Sequence, residues 1–249
     1  MSAYAALSTA VARAHVRDRV TLFFTFVFPL IFLVVFGLLF DDNAGGGGKP
    51  IDYLAPGVLS WAVANGAVFG VAYTLVQWRE SGVLRLLRMT PTSVLAVLAA
   101  RFLVAVGLAV AQMVFFIGVA VLPPLGFRLG PQAMLALPVL VLGVMAFFAI
   151  GMIIGSNVTS SEAVAAIANC LLVPMAFLSG TFYPLDQSPG WLQGLAKVLP
   201  LNYMIDGTAG VLTGADGPES IIVPCAVLLG FALLAAGFAT KRFRWNRDA

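Results

Sequence analysis

Charge is what this sequence has least of. Only 10% of its 249 residues are Asp, Glu, Lys or Arg, against about 25% in soluble domains. With 61% hydrophobic residues, no soluble core absorbs the apolar surface, and the chain reads as an integral membrane protein. His15 is the only histidine, which excludes a His-based metal cluster. The two cysteines, Cys170 and Cys225, lie in apolar runs and read as small packing residues rather than a disulfide or a metal pair. No Asp, Glu, Lys or His falls in the middle of an apolar run. The charged relay that ion-coupled carriers hold within the membrane therefore cannot be drawn. The arginines cluster at membrane edges rather than along one face, which argues against nucleic acid as a partner. A phosphate loop is also missing. Gly45-Gly46-Gly47-Gly48-Lys49 resembles one, but the pattern needs glycine at Asn43 and a hydroxyl residue at Pro50. This run is a flexible connector.

What the sequence does have is long apolar runs. They predict an all-α membrane protein with six spans at 20–40, 54–76, 94–122, 133–155, 163–182 and 221–240. The first run is as long as a full span and lacks a small-residue cleavage site, so it reads as a retained helix. Before it, residues 3–19 place Tyr4, Leu7, Val11 and Ala14 on one side of a helix and Thr9 and Arg13 opposite. That fits an interface helix or a plain basic anchor. Phe24, Phe28, Phe32, Phe36 and Phe40 form a slowly drifting stripe, either a wall of a lipophilic path or a packing surface. Pro29 predicts a kink. Asn65 and Asn169 are intramembrane polar residues that line a path or bond to a neighbouring helix. Gly66 with Gly70, and Gly151 with Gly155, have the spacing that lets helices approach closely. Arg101 stands near one end of the third span, where it can snorkel to the headgroups. Ser160-Ser161-Glu162 can start the fifth span, which Pro174 is expected to break. The apolar but interrupted stretch 184–212 is too broken for a span and reads as a pair of short re-entrant or interfacial helices.

The basic residues orient the chain. Arg13, Arg17, Arg19, Arg79, Arg85, Arg88, Arg101, Lys241, Arg242, Arg244 and Arg247 fall on one side of such a layout. Only Lys49, Arg128 and Lys197 fall on the other. Positive-inside placement then puts both termini in the cytoplasm of a cell whose inner membrane holds the protein.

The longest polar interruption on that positive side runs from Gln77 to Ser93. It holds Arg79, Glu80, Arg85 and Arg88, with Leu84 and Leu87 three apart and Thr90-Pro91 closing it. It reads as a short amphipathic helix at the membrane surface or as a connecting loop made basic by topology. The pattern Arg79-Glu80-x-Gly82-x-Leu84-x-x-Leu87-x-x-Thr90-Pro91 resembles the cytoplasmic loop of ABC-2 type transporter permeases. The set Ser179-Gly180, Pro184 and Pro200-x-x-Tyr203 is similar to the carboxyl-terminal signature of the same family. The resemblance covers nearly the whole chain. It implies a single transmembrane domain over 1–249, with an interface helix at 3–19 and a coupling helix at 79–90 that contacts a separate ATPase subunit. It also implies short helices capping the outer end of the pathway. ATP and magnesium would then sit on that ATPase, with no cofactor on this chain. Six spans being half a transporter, a second copy or a sister permease is implied as well.

The substrate expected is lipophilic or amphipathic, a drug, antibiotic or lipid-like compound, because outer loops are short and no charge lies mid-membrane. Phe24, Phe28, Phe32, Asn65 and Asn169 are the path candidates. Export of a polysaccharide or lipid-linked glycan is the alternative within the family. A facilitative carrier independent of ATP is the alternative outside it. A membrane-embedded enzyme ranks last, since Ser179, Asn169 and Tyr203 are scattered and make no catalytic set.

Overall fold

The computed structural model describes residues 22–39, 49–82, 94–123 and 125–242. Among these, every regular element is helical. A π-helical turn, Phe23–Val27, leads into α1 (Phe28–Leu39). Then follow α2 (Pro50–Glu80), α3 (Val94–Ala120), α4 (Ala136–Asn157), α5 (Ser161–Leu178), α6 (Gly190–Ala196), α7 (Pro200–Thr213) and α8 (Ile222–Arg242). Five helices, α2, α3, α4, α5 and α8, are long and apolar enough to cross a membrane. The described part of the first expected span, Phe23–Leu39, is apolar but shorter. The expected pair of short helices is α6 and α7. The interface helix expected at 3–19, the glycine run before Lys49 and the basic tail beyond Arg242 lie outside the described residues.

Local chemistry explains the helix ends. At the start of α5 the Ser160 hydroxyl accepts the Ala163 N–H at 3.3 Å, and Glu162 sits in the first turn, where the dipole favours an acid. α5 then runs through Pro174 without the expected break. Leu172, Met175 and Ala176 are buried on either side of it, and their packing outweighs the one backbone bond the proline removes. The helix stops at Leu178, short of the expected Phe182. The Thr181 N–H bonds to the Ala176 carbonyl at 3.1 Å and the Gly180 N–H to Phe177 at 3.4 Å, with Gly180 at φ +72°. This is a Schellman end, which needs a left-handed residue after the last turn.

α2 is the central helix. Its 31 residues extend about 46 Å, and most of its middle is buried. α4 lies closest. A Cβ at Gly151 would come 2.6 Å from the Val68 carbonyl, and one at Gly155 would come 2.9 Å from the Ala72 Cα. The second small-residue pair thus does what its spacing predicts. The first pair does not: a Cβ at Gly70 would meet nothing within 4 Å, and one at Gly66 only the Gln112 Oε1 at 3.8 Å. Among the described residues no helix backbone closes on that face, which forms a groove. At α1 the expected kink takes another form. Pro29 has no N–H for the Thr25 carbonyl four residues back. The turn before it widens so that Phe28 bonds to Phe23, and the buried Gln112 of α3 donates to Thr25 O at 2.9 Å.

Candidate functional site

Arg79 and Glu80 are the last residues of α2, and the turn Ser81-Gly82 follows them. Gly82 has φ +68°, a conformation that ends a helix and favours glycine. Arg79 turns back to the end of α4. Its Nη1 donates to Val158 O at 2.6 Å, and its Nη2 to Ser156 O at 3.2 Å and Gly155 O at 3.4 Å. Carbonyls at a helix C-terminus lack intrahelical partners and carry the negative end of the dipole, so a guanidinium fits them twice over. Glu80 is exposed. The end of α2 and the α4–α5 turn are therefore held as one unit. Leu84, Leu87, Thr90 and Pro91 lie outside the described residues.

The opposite end of α2 is closed by the stretch after α5. A Cβ at Gly57 would lie 2.3 Å from the Thr181 carbonyl, so glycine there lets the two backbones touch. Phe182 lies at ring-centroid distances of 5.7 Å from Trp61, 5.8 Å from Phe32 and 5.5 Å from Phe36. A Cβ at Gly180 would stand 3.1 Å from both Leu185 Cβ and the Tyr183 carbonyl, so a side chain there would press on its neighbours as well as strain the left-handed backbone. The Tyr183 hydroxyl donates back to the Phe177 carbonyl. Pro184 precedes a 3-10 turn, Leu185–Gln187. Pro200 opens α7 at a position where a missing N–H costs nothing, and the Tyr203 hydroxyl donates to Lys197 O at 2.9 Å, joining α7 to the end of α6. The five predicted cap residues fall on two stretches, Ser179, Gly180 and Pro184 after α5 and Pro200 and Tyr203 in the first turn of α7. Sequence reasoning missed Trp61, Thr181 and Phe182. An aromatic between Gly180 and Pro184, with Gly57 one turn before a tryptophan, was the available signal. The Trp61 Nε1, Ser179 Oγ and Thr181 Oγ1 are buried without a hydrogen-bond partner.

α7 docks on α2 by hydroxyls. Ser60 Oγ and Thr208 Oγ1 are 3.0 Å apart, and Thr208 donates to Met204 O at 2.8 Å. Asn202 Nδ2 donates to Asp206 Oδ2 at 2.9 Å. Asp206 keeps an exposed surface, yet the protein around it displaces enough water to push its carboxyl above the usual carboxylate range, with the Asn202 bond pulling the other way.

The path candidates do not form one site. Asn65 donates to Trp61 O at 2.8 Å within its own helix, and Asn169 is on the exposed side of α5. Phe24 and Phe28 are exposed, while Phe32 belongs to the aromatic cluster around Phe182.

The family profile described as ABC-2 type transporter matches residues 3–213. The chain belongs to the ABC-2 type transporter family. Among curated proteins this permease is 27% identical to the Linearmycin resistance permease protein LnrN of Bacillus subtilis over 95 residues, which is 38% of this chain and 25% of LnrN. It is 33% identical to Nodulation protein J of Rhizobium meliloti over 91 residues, 36% of this chain and 35% of that protein. With the Inner membrane transport permease YadH of Escherichia coli K12 the identity is 27% over 181 residues, 71% of this chain and 69% of YadH. The permease thus spans a quarter to about a third of the first two of these relatives.

Proposed function

We propose that this permease is the membrane subunit of an ATP-driven exporter, worked by a separate ATPase that binds ATP and magnesium. The observation that carries the reading is the Arg79 clamp. A partner that moves the segment after Gly82 moves the end of α2, and through three carbonyl bonds it moves the α4–α5 turn with it. Two helices then respond to one push. Positive-inside placement puts this end in the cytoplasm, where an ATPase is available. Glu80, Leu84, Leu87, Thr90 and Pro91 complete the docking segment, and Glu80 is exposed and able to pair with a base on the partner.

The cargo is a lipophilic or amphipathic compound. LnrN is named for resistance to linearmycin, and the spans of this chain offer no charge at their middle to receive an ionic polymer. A second permease, identical or a sister, completes the pathway.

Export by the permease with its ATPase, assayed in inverted vesicles, tests this. Glu80→Arg should insert normally and lose export, because breaking a desolvated cross-subunit pair costs about 2–5 kcal/mol. Arg79→Gln should lower export at least tenfold while ATP hydrolysis by the partner continues. Parental export in both variants, or export by vesicles that lack any ATPase, would sink the proposal.

A further inference from the structure

Arg101 is the one basic residue within α3, and its surroundings are unusual. Its Nε is buried with no hydrogen-bond partner. Its guanidinium carbon lies 5.5 Å from the centre of the Trp78 ring. Trp78 is two residues from the end of α2, and Arg101 is seven residues from the start of α3. Trp78 therefore stands about half a turn and Arg101 about two turns inside the ends of their helices, close to the layer where tryptophan meets headgroups. Among the described residues this cation has an aromatic face beside it and no anion.

Next to Arg101 is the open face left by Gly66 and Gly70. The groove is walled by Val104 and Leu108 of α3 and floored by Phe148 of α4, and it is shallow and open along one side. Apart from Arg101 its lining is apolar, and it runs along the helices from Arg101 toward the membrane middle. A phosphate on the guanidinium and a hydrocarbon chain along the two glycines would match charge to charge and apolar to apolar. One acyl chain would lie along the open side of this apolar surface rather than inside a cavity, leaving the second in the bilayer. Soluble anions have no use for the apolar part, and a neutral lipid has none for the free cation.

We propose that the groove between α2 and α3 is a binding site for an anionic phospholipid, with the headgroup phosphate on Arg101 and one acyl chain against Gly66 and Gly70. The site depends only on the chain spanning a membrane, and it stands or falls separately from the ATPase reading.

The probes are phosphatidylglycerol and phosphatidylcholine with the same acyl chains, added to the purified full-length permease. Native mass spectrometry should show phosphatidylglycerol retained by the parent where phosphatidylcholine is lost, and thermal unfolding should shift upward with phosphatidylglycerol alone. Arg101→Gln should abolish the difference between the two lipids, and Arg101→Lys should keep most of it. Gly70→Leu fills open space, so the chain should still fold, and it too should abolish the difference. A parent that shows no preference between the two lipids overturns the site without any variant. A preference that survives Arg101→Gln puts the headgroup elsewhere, and one that survives Gly70→Leu puts the chain elsewhere. Either result overturns the proposal.

Discussion

A single carboxyl on α7 shows how residue-scale chemistry reaches stability. Burial raises the pKa of Asp206 above 3.8, its value in an open chain. Between that value and the raised one, the folded chain holds a proton that the unfolded chain has released. Stability therefore falls as pH rises through this window, and the loss persists above it. Asp206→Asn removes the titration while leaving an oxygen for the Asn202 amide. Thermal midpoints measured between about pH 4 and pH 7 should fall for the parent relative to the variant, with the variant ahead at neutral pH. Parallel profiles would show that Asp206 titrates as it does in water. At this scale the sequence is half legible. Arg79 and Gly180 stand out by motif and by neighbours. Their partners do not: the carbonyls that Arg79 binds are 76 to 79 positions away, and no local pattern points to an acceptor that every residue carries.

Among the elements, the helices themselves were readable and their interruptions were not. Apolar run length found the long helices because a bilayer sets one length for all. Proline was the weak signal, since its effect depends on what packs beside it. Pro174 leaves α5 intact, whereas Pro29 is answered by a π turn and by Gln112 from α3. Glycine pairs were ambiguous for the same reason. Spacing tells that two helices can touch and not that a neighbour is present, so 151/155 packs and 66/70 gapes. The Gln112 contact gives a cycle to measure. Gln112→Leu leaves the Thr25 carbonyl without this donor and should cost about 1 kcal/mol, given that interhelical hydrogen bonds in membranes average about 0.6 and reach about 2. Pro29→Ala returns an N–H to that carbonyl. In the Pro29→Ala background, Gln112→Leu should cost little, read as a thermal midpoint that no longer falls. Equal costs in both backgrounds would mean that Gln112 acts by packing alone.

For the whole molecule, composition alone established the solvent, and the family match agrees with the motifs at 79–91 and 179–203. The order of the helices was legible. Which helix sits at the centre was not, because α2 is no more apolar than its neighbours and owes its place to small residues facing it from elsewhere in the chain. That place has a mechanical consequence. α2 is fastened at both ends, by backbone contact at Gly57 and by the Arg79 clamp, with about 33 Å of uninterrupted helix between them. It behaves as a connecting rod rather than a spring. Motion applied at one end would then arrive at the other with its angle preserved, the two fastenings phased like cranks on one shaft. One alanine inserted after Gly70 would turn the shaft by about 100°, leaving the two ends unable to engage together. Such a chain should still enter the membrane, yet Gly57→Ala and Arg79→Gln should not both lower its thermal midpoint as they lower the parent's, because at most one fastening is still made. Equal losses from both substitutions in the two chains would show that α2 twists along its length and transmits nothing as a rigid body.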